Sequence, residues 1–353
     1  MSTEKMELRY LDLKNDICAQ IYKGTYLNGE RIPSERQLAL DYDVSRITVR
    51  KALELLEEED LIKREVGNGT IVNYRNWGNE TTLDLFALVA PSKNPFFSSF
   101  IAEFQKIAWE HDALLLYVEI PENTSLEDCL YRLYQKNIKN AVVWPDDQNV
   151  DEEKLLRLRS IGMNLVFFDT DDGYPYADCV YLDNEDAIKK LIANSKKAYK
   201  KYLYIGWDKM EIRNIQKRED AFKALCPKGE VIRLPWRRDR KLTEESLKRV
   251  AAHVEMMGLT GADSSLIICG VGELGQQVSE YLYDQKQMKV SLAVIDNFEG
   301  SEKYSVSIYQ QDLAKTAEVI YEKMRNQTVE GKLWKAELVT VKCVYQELQA
   351  NQR

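Results

Sequence analysis

From residue 83 onward, short apolar runs alternate with helix-length amphipathic segments, and this alternation limits the fold more than any other feature of the sequence. The runs predicted to form buried strands are Leu85–Ala90, Ala113–Val118, Asn140–Trp144, Leu165–Phe168, Tyr202–Ile205, Leu266–Cys269 and Ser291–Ile295. Strands that are apolar along their whole length are typical of parallel sheets with helices on both faces. The sequence therefore predicts an α/β body of two lobes, with parallel sheets flanked by helices.

Residues 1–72 carry a different pattern. Apolar residues recur at four-residue spacing between Tyr10 and Lys23, which predicts an amphipathic helix. Ser34 opens a capping-box pattern at the start of a short helix, and Ser45 is a suitable N-cap for a third helix. Two strand-like runs around the turn at residues 67–69 predict a hairpin. This order of elements describes a winged helix-turn-helix domain.

The charge of the chain is unevenly distributed. Forty-nine Lys and Arg against 57 Asp and Glu give a formal net charge of −8, which argues against a surface that attracts nucleic acid everywhere. The stretch Ser45–Ala52, however, contains basic residues and no acidic one. A small basic face is therefore predicted at the N-terminal end of the third helix.

The segment Gly29–Val72 also carries a family resemblance. Its Pro-Ser-Glu-Arg entry, its Val-Ser-Arg-x-Thr-Val-Arg helix and its Gly-x-Gly-Thr turn resemble the GntR-type DNA-binding domain. The family usually has glycine where this chain has Asp43 and Asp60. Both positions are expected to need a left-handed or turn conformation, which Asp tolerates better than most residues, so we expect little functional consequence.

Particular residues of this head are predicted to contact duplex DNA. Arg46, Thr48 and Arg50 are expected in the major groove, because Arg bonds guanine O6 and N7 and Thr bonds bases or phosphate. The predicted phosphate and wing contacts are Arg36, Ser45, Lys51, Asn68 and Gly69. The alternative is that Arg46 and Arg50 form a solvated helix face with Glu54.

Motifs spread along the body resemble the effector domain of LacI/GalR-type repressors, which is related to periplasmic binding proteins. They are APSKNPFFSSF from Ala90, LVFFDTD from Leu165, VYLDN from Val180, REDAF from Arg218 and AVIDN from Ala293. A GntR-type head on such a body is the arrangement of the arabinose-repressor subgroup. The chain is predicted to belong to this subgroup.

The resemblance implies where an effector binds and how the lobes connect. Effector-binding residues are expected in the crevice between the lobes: Asn94, Phe96, Phe97, Asp169, Arg218 and Asp296. The predicted domains are a head at 1–72, a linker at 73–82 and a body at 83–348, with lobe one at about 83–181 plus 296–309 and lobe two at about 184–293 plus 312–345. Lobe closure is expected to hinge near Asp183, Asp296 and Gln310.

These side chains have structural alternatives. Arg218 and Asp296 are also compatible with an interlobe ion pair or a helix cap. Phe96 and Phe97 are equally compatible with packing in the core of a lobe. Two tryptophans lie at the ends of predicted strands, Trp144 and Trp207. Each is compatible with stacking on a ligand or with a structural role.

One stretch departs from the LacI/GalR pattern. Where that family usually has Cys-Ala-Asn-Asp, this chain has Cys-Gly-Val-Gly at Cys269–Gly272, so a polar pair near the ligand is lost. The identity of the sugar is therefore open, and an effector lobe that has lost its ligand is one alternative.

The same stretch forms a G-x-G-x-x-G pattern through Gly270, Gly272 and Gly275, with Asp296 at the end of the next predicted strand. A NAD(H)-sensing regulator or a dehydrogenase is therefore a second alternative. Against it, a dinucleotide-binding domain normally opens with this loop, whereas the first strand of this body leads into PSKNPFF.

Other functions find little support in the sequence. The six cysteines form no CxxC pair and there are two histidines, so no disulfide framework, metal site or catalytic triad is predicted. No apolar run approaches the roughly 18 residues of a membrane span, and the first residues lack a signal-peptide core. A cytoplasmic protein without a cofactor, and not an enzyme, is expected.

The sequence thus predicts a homodimeric, ligand-responsive transcription factor that represses carbohydrate-utilisation genes. Its expected partners are double-stranded operator DNA and a small carbohydrate, which is a pentose, a deoxyhexose, a hexose or a sugar phosphate. A two-fold dimer suits a palindromic operator, because its symmetry mirrors that of the half-sites.

Overall fold

The computed structural model describes residues 3–65, 69–91, 95–145, 149–193, 199–237, 239–259, 265–304, 306–342 and 344–348. The N-terminal domain consists of α1 (Thr3–Tyr22), α2 (Glu35–Asp41), α3 (Arg46–Glu58), β1 (Ile62–Glu65) and β2 (Gly69–Val72). The two strands follow the three helices in the chain and pair antiparallel. The predicted winged helix-turn-helix domain is confirmed.

Local sequence signals set the ends of these helices. The hydroxyl groups of Ser34 and Ser45 each accept a hydrogen bond from the amide three residues further on, which confirms both as N-caps. Asp43 and Asp60 have φ angles of 47° and 55°, the left-handed conformation that the sequence predicts there.

The body alternates strands and helices. Its elements before the first crossing between lobes are β3 (Leu85–Val89), α4 (Pro95–Glu110), β4 (Leu114–Val118), α5 (Leu126–Gln135), β5 (Asn140–Val143), α6 (Glu152–Ile161), β6 (Asn164–Phe168) and β7 (Asp178–Leu182). The following elements are α7 (Asn184–Ala193), β8 (Lys201–Trp207), α8 (Arg213–Leu225), β9 (Glu230–Leu234), α9 (Glu244–Met256), β10 (Ser265–Cys269), α10 (Gly272–Ser279), which runs on as a π-helix (Glu280–Gln285), β11 (Leu292–Ile295), β12 (Val306–Gln310), α11 (Leu313–Glu330), β13 (Leu338–Val341) and β14 (Val344–Leu348).

The body strands form two six-stranded sheets, with the orders β13-β7-β6-β5-β3-β4 and β14-β12-β11-β10-β8-β9. Neighbouring strands run parallel, except for β14, which is antiparallel to β12. In both sheets the strand order reverses beside the first strand, which places a crevice at the carboxyl ends of the strands. The predicted fold class, with parallel sheets flanked by helices, is confirmed.

The division of the chain between the lobes was predicted wrongly after Asp296. Strand β12 pairs with β11, so residues 306–309 lie in lobe two. Helix α11 packs on α4 and β13 pairs with β7, so residues 313–341 lie in lobe one. The physical reason is that β12 completes the open edge of β11, and α11 then buries its apolar face on the first sheet.

The crossings between lobes move accordingly. The chain crosses at Asp183, again at Gln311 directly after the predicted hinge Gln310, and a third time between β13 and β14. Asp296 is not a crossing, because β11 and β12 on either side of it belong to the same sheet.

The head packs directly on lobe one. The ring of Tyr22 in α1 stacks on that of Tyr131 in α5, with centroids 4.0 Å apart, and its hydroxyl donates to Asp128 at 2.7 Å. Arg157 of α6 donates to the backbone carbonyl of Tyr22 at 3.4 Å. Buried apolar side chains of the head and of lobe one form a single continuous cluster. The N-terminal domain is therefore packed firmly against lobe one.

Segment 73–82 has no regular secondary structure, yet it is anchored on lobe one. The buried guanidinium of Arg159 donates to the carbonyl of Trp77 at 2.8 Å and to the side chain of Gln327 in α11 at 2.6 Å. A Cβ atom on Gly78 would lie 1.8 Å from the carbonyl oxygen of Gln327, so this close approach requires glycine. The predicted linker is thus held between α6 and α11.

Candidate functional site

The N-terminal half of α3 presents an exposed, basic face. Arg46, Arg50 and Lys51 are all exposed, as their predicted contact with DNA requires. Thr48 differs from them, because its side chain is 5% exposed and its hydroxyl lies 2.8 Å from the hydroxyl of Ser45. The structure places Thr48 inside the helix start, where it supports the cap, and away from the face that carries the arginines.

Neighbouring groups hold the basic side chains of this face. A guanidinium nitrogen of Arg50 lies 3.3 Å from Glu35 of α2, and Arg50 remains 60% exposed. This pairing differs from the predicted alternative of a face shared with Glu54. The ammonium of Lys51 lies 4.1 Å from the ring centroid of Tyr10 in α1, a cation–π contact.

The other predicted DNA contacts lie around this face. Arg36 and Ser45 are exposed at the starts of α2 and α3, and Gly69 begins β2 with a φ of 86°. Asn68 lies outside the described residues.

Sequence reasoning missed an apolar residue on this face. Ile47 is 72% exposed, although it lies between Arg46 and a buried threonine. An exposed apolar side chain at the start of a helix that is predicted to enter the major groove suits contact with the methyl group of thymine. Helical spacing could have indicated its exposure, because Ile47 is not in register with the buried residues of α3.

A cleft of about 960 Å³ opens between the lobes at the carboxyl ends of the two sheets. The structure brings together five of the predicted effector-binding residues in its wall: Phe96, Phe97, Asp169, Arg218 and Asp296. Asn94, the sixth, lies outside the described residues. Lobe one contributes the first three of these residues and lobe two the remaining two, so a bound molecule would touch both lobes.

Two carboxyl groups and one guanidinium dominate the electrostatics of the cleft. Asp169 follows β6 and Asp296 follows β11. Burial raises the pKa of Asp169 to about 7, against the lowering effect of the Arg218 charge. Burial likewise raises the pKa of Asp296, which Arg218 again opposes. Both carboxyl groups are thus poorly solvated, and a hydrogen-bond donor or a cation nearby would stabilise their charged forms.

Hydrogen bonds hold these groups in place. Arg218 is 4% exposed and donates to the side chain of Asn184 at 2.7 Å and to the carbonyl of Gly270 at 2.8 Å. Asp296 accepts from the side-chain amide of Gln311 at 2.8 Å. Among the ion pairs of the described residues, none joins Arg218 to Asp296. The predicted alternative of an interlobe ion pair between them therefore has no support in the geometry.

The aromatic residues divide into packing and lining groups. Phe97 is 3% exposed and lies 4.7 Å from the ring centroid of Trp144, so it belongs largely to the core of lobe one. Phe96 is half-buried and stacks on Phe168 with centroids 5.7 Å apart. Trp207 is 1% exposed, and its Nε1 has no hydrogen-bond partner among the described residues.

Side chains of α8 also bridge the lobes beside the cleft. Arg213 pairs with Asp172 at 2.9 Å, and Lys217 pairs with Asp171 at 2.7 Å. The side-chain amide of Asn214 donates to the carbonyl of Asp169. Sequence reasoning missed these residues, because charged and amide side chains at a helix start carry no signal of which loop lies opposite.

The Gly-x-Gly-x-x-Gly loop follows β10 and reaches the cleft. A Cβ atom on Gly270 would lie 2.4 Å from the hydroxyl of Tyr204, and one on Gly275 would lie 2.6 Å from a methyl group of Val294. A Cβ atom on Gly272 would lie 2.8 Å from the carbonyl of Asn297. Close packing inside lobe two therefore accounts for all three glycines without a bound dinucleotide.

The described residues contain no group of three or more His, Cys, Asp or Glu arranged to hold a metal ion. Within the same part of the chain, no helix has both the length and the apolar character that crossing a membrane demands.

Residues 9–72 match the model of the family described as bacterial regulatory proteins, gntR family. Over 63 residues the chain is 46% identical to the uncharacterized HTH-type transcriptional regulator YurK of Bacillus subtilis, covering 18% of this chain and 26% of YurK. Over 43 residues it is 56% identical to the HTH-type transcriptional regulator NorG of Staphylococcus aureus, covering 12% of this chain and 10% of NorG. The chain thus matches about a quarter or less of the length of these relatives.

Solved structures resemble a larger part of the chain. The Cra transcriptional dual regulator from Pseudomonas putida, in complex with fructose 1-phosphate, has a TM-score of 0.60 at 16% identity and covers 76% of this chain and 100% of its own. The trehalose repressor from Escherichia coli has a TM-score of 0.59 at 16% identity, covering 75% and 100%. Such identities show the fold alone. With the family match, they confirm the predicted combination of a GntR-type head and a LacI-like body.

Proposed function

We propose that this protein is a DNA-binding transcriptional regulator, a repressor of carbohydrate-utilisation genes, whose operator affinity changes when a small sugar-like effector binds between the lobes. The observation that carries the proposal is the convergence of Asp169, Asp296 and Arg218 in one cleft of a chain whose head presents an arginine-bearing helix. Carboxylates and guanidinium groups pair with adjacent hydroxyls, and aromatic faces cover the C–H side of a sugar.

Helix α11 supports a route by which the cleft acts on the head. At its start, Gln311 bonds to Asp296, and Leu313 lines the cleft. Near its end, Gln327 bonds to Arg159, which holds the linker. Directly after it, Lys332 forms an ion pair with Asp60 of the head. A ligand that shifts Gln311 would therefore move an element that touches both the linker and the head.

Exposed apolar side chains at one edge of lobe one support the homodimer. Trp109 at the end of α4 is 75% exposed, and Leu114 and Leu116 of the edge strand β4 are 63% and 39% exposed. An edge strand with outward apolar side chains is a natural surface for a second copy, since it would otherwise favour aggregation. Two heads brought together by a two-fold axis would read two operator half-sites.

The test is a titration of labelled DNA fragments, taken from upstream of this gene and of neighbouring saccharide genes, against the full chain by fluorescence anisotropy. We expect a preferred fragment, an affinity that falls steeply with salt, and a change of 10- to 100-fold when an effector is added, equivalent to about 1.4 to 2.7 kcal/mol of coupling. Equal binding to all fragments would refute the regulator.

Two alternatives remain open to direct measurement. An enhancement of NADH fluorescence on mixing would favour the NAD(H)-sensing regulator or dehydrogenase, although packing already accounts for the three loop glycines. A lack of thermal stabilisation by any sugar or sugar phosphate, together with intact operator binding, would favour an effector lobe without a ligand.

A further inference from the structure

The charge of the cleft carries an inference about its ligand, which rests on the proposed function. Among the described residues of its wall, carboxyl side chains outnumber guanidinium groups even without Asp169 and Asp296, whose pKa burial raises. The remaining five, Glu152, Asp172, Glu211, Glu273 and Glu299, stand against Arg213, Arg218 and Arg240. Such an excess of negative charge repels an incoming anion and attracts a cation, most strongly at low ionic strength.

The guanidinium groups are also engaged already. Arg213 bonds to Asp172 across the cleft, and Arg218 donates to Asn184 and to the carbonyl of Gly270. The guanidinium of Arg240 lies over the ring of Trp236, 5.0 Å from its centroid. A phosphate group would have to share each of these cations with the partners that it already has.

Two buried atoms in the wall have hydrogen-bonding capacity to spare. Asp169 Oδ1 and Trp207 Nε1 are both buried without a hydrogen-bond partner among the described residues. The first is an acceptor and the second a donor, and a buried polar group left without a partner costs free energy. Hydroxyl groups, which both donate and accept, match this pair, and an ammonium group also matches the carboxylate.

We propose that the ligand of this cleft is a sugar that carries neither a phosphate nor a carboxylate group. A hydroxyl of the sugar donates to Asp169 Oδ1, and a sugar oxygen accepts from Trp207 Nε1. Replacing a hydroxyl by an amine preserves or improves binding, because the ammonium enters a cleft with a surplus of carboxylates.

The test uses matched sets of a neutral sugar, its amino derivative and its phosphate ester, built on glucose, galactose and mannose, with pentoses and deoxyhexoses as further neutral sugars. Thermal shift selects the binders and calorimetry at fixed ionic strength measures their Kd values. For every sugar that binds, we expect its phosphate ester to bind at least tenfold more weakly. An ester that binds as tightly as its parent would overturn the inference and leave the regulator intact.

Variants locate the effect. Glu211→Gln and Glu299→Gln, on exposed side chains of the wall, should reduce the ratio between the Kd of a phosphate ester and the Kd of its neutral parent. The matched control is Glu302→Gln, which is exposed and not part of the wall. A discrimination that all three leave unchanged would overturn the charge argument.

Two substitutions test the proposed hydroxyl contacts. Asp169→Asn should weaken binding of the neutral sugar at least tenfold. Trp207→Phe, which keeps an aromatic ring and removes the N–H donor, should weaken binding as well. Circular dichroism establishes that each variant is folded before binding is measured. Unchanged affinity in the folded Trp207→Phe variant would overturn the donor contact. If no sugar of the panel stabilises the wild-type protein, the ligand-responsive function itself fails, which is a separate result.

Discussion

Asp169 and Asp296 occupy equivalent places in the two lobes. Each directly follows the strand at the same position of its sheet, each has a left-handed backbone, with φ angles of 54° and 69°, and each donates its amide to the adjacent strand. The guanidinium of Arg218 acts electrostatically on both carboxyl groups. Left-handed non-glycine residues are costly and cluster at functional sites, so this repeated arrangement supports the proposed effector cleft.

The carboxyl of Asp169 should make stability depend on pH. Its pKa is raised to about 7 in the folded protein by burial, against about 3.9 in an unfolded chain. Between these values the folded state holds a proton that the unfolded state has lost, so stability falls as pH rises from about 4 to 7 and is then level. Asp169→Asn should lessen this fall, measured as Tm from pH 5 to 8, and the raised pKa of Asp296 accounts for the part that stays. The exposed Asp84→Asn should keep the wild-type slope, and an identical slope in Asp169→Asn would contradict the prediction.

Arg50→Ala should weaken operator binding by about 1 to 3 kcal/mol if the guanidinium reads a base. Its contact with Glu35 is long and exposed, so folding should be almost unaffected. Anisotropy at fixed salt measures the loss, and Arg132→Ala, an exposed substitution on lobe one, is the control. Equal affinity of Arg50→Ala and wild type would remove this residue from the interface.

Trp109→Glu should convert the protein to monomers, because a charge would be buried in the proposed dimer interface. Light scattering coupled to gel filtration measures the mass, and operator affinity should fall at least tenfold as the second head is lost. Met256→Glu, on an α9 side chain that is 71% exposed in lobe two, should leave both properties unchanged. A dimeric Trp109→Glu variant would place the interface elsewhere.

Tyr22→Phe should weaken the contact between the head and lobe one. The substitution keeps the ring stacked on Tyr131 and removes the hydrogen bond to Asp128, with an expected loss of about 1 to 2 kcal/mol. Hydrogen exchange should increase along α1 and α5 together. Increased exchange confined to α1 would show that the two elements are not coupled.

Lys332→Ala should reduce the effect of the effector on operator binding without a large change in Tm. The Lys332 side chain is 64% exposed and the Asp60 side chain 32% exposed, so the ion pair is partly screened by water and contributes on the order of 0 to 1 kcal/mol to stability. The readout is the ratio of operator Kd values with and without a sugar that the thermal-shift panel identifies. Lys335→Ala is the exposed control, and an unchanged ratio in Lys332→Ala would exclude this contact from the coupling route.

Much of the fold could be predicted from local signals. Ser34 and Ser45 were recognisable as caps because the capping geometry depends on a few neighbouring residues. The strands of the lobes were recognisable because a doubly covered sheet requires continuous apolar runs. The allocation of β12 and α11 to the lobes could not be read in this way, since strand pairing depends on tertiary contacts that are distant in sequence.

The site could be predicted where its residues come directly after a recognisable strand. Asp169 and Asp296 lie directly after β6 and β11, so their meeting at a crevice follows from topology. The partners that hold the site, such as Asn184 and Gln311, are ordinary polar residues with no distinctive pattern. The inward orientation of Thr48 was likewise hidden, because helical spacing alone does not distinguish a cap-supporting hydroxyl from a base-reading one.

The stacked pair Tyr22 and Tyr131 has a consequence for protein engineering. The exchange of one N-terminal module for another assumes that such parts of a chain are independent. Here the module shares a core with lobe one, so a chimera that keeps only the graft point at residue 72 would expose apolar surface on both parts. A working chimera would have to carry a matching aromatic side chain on its own first helix.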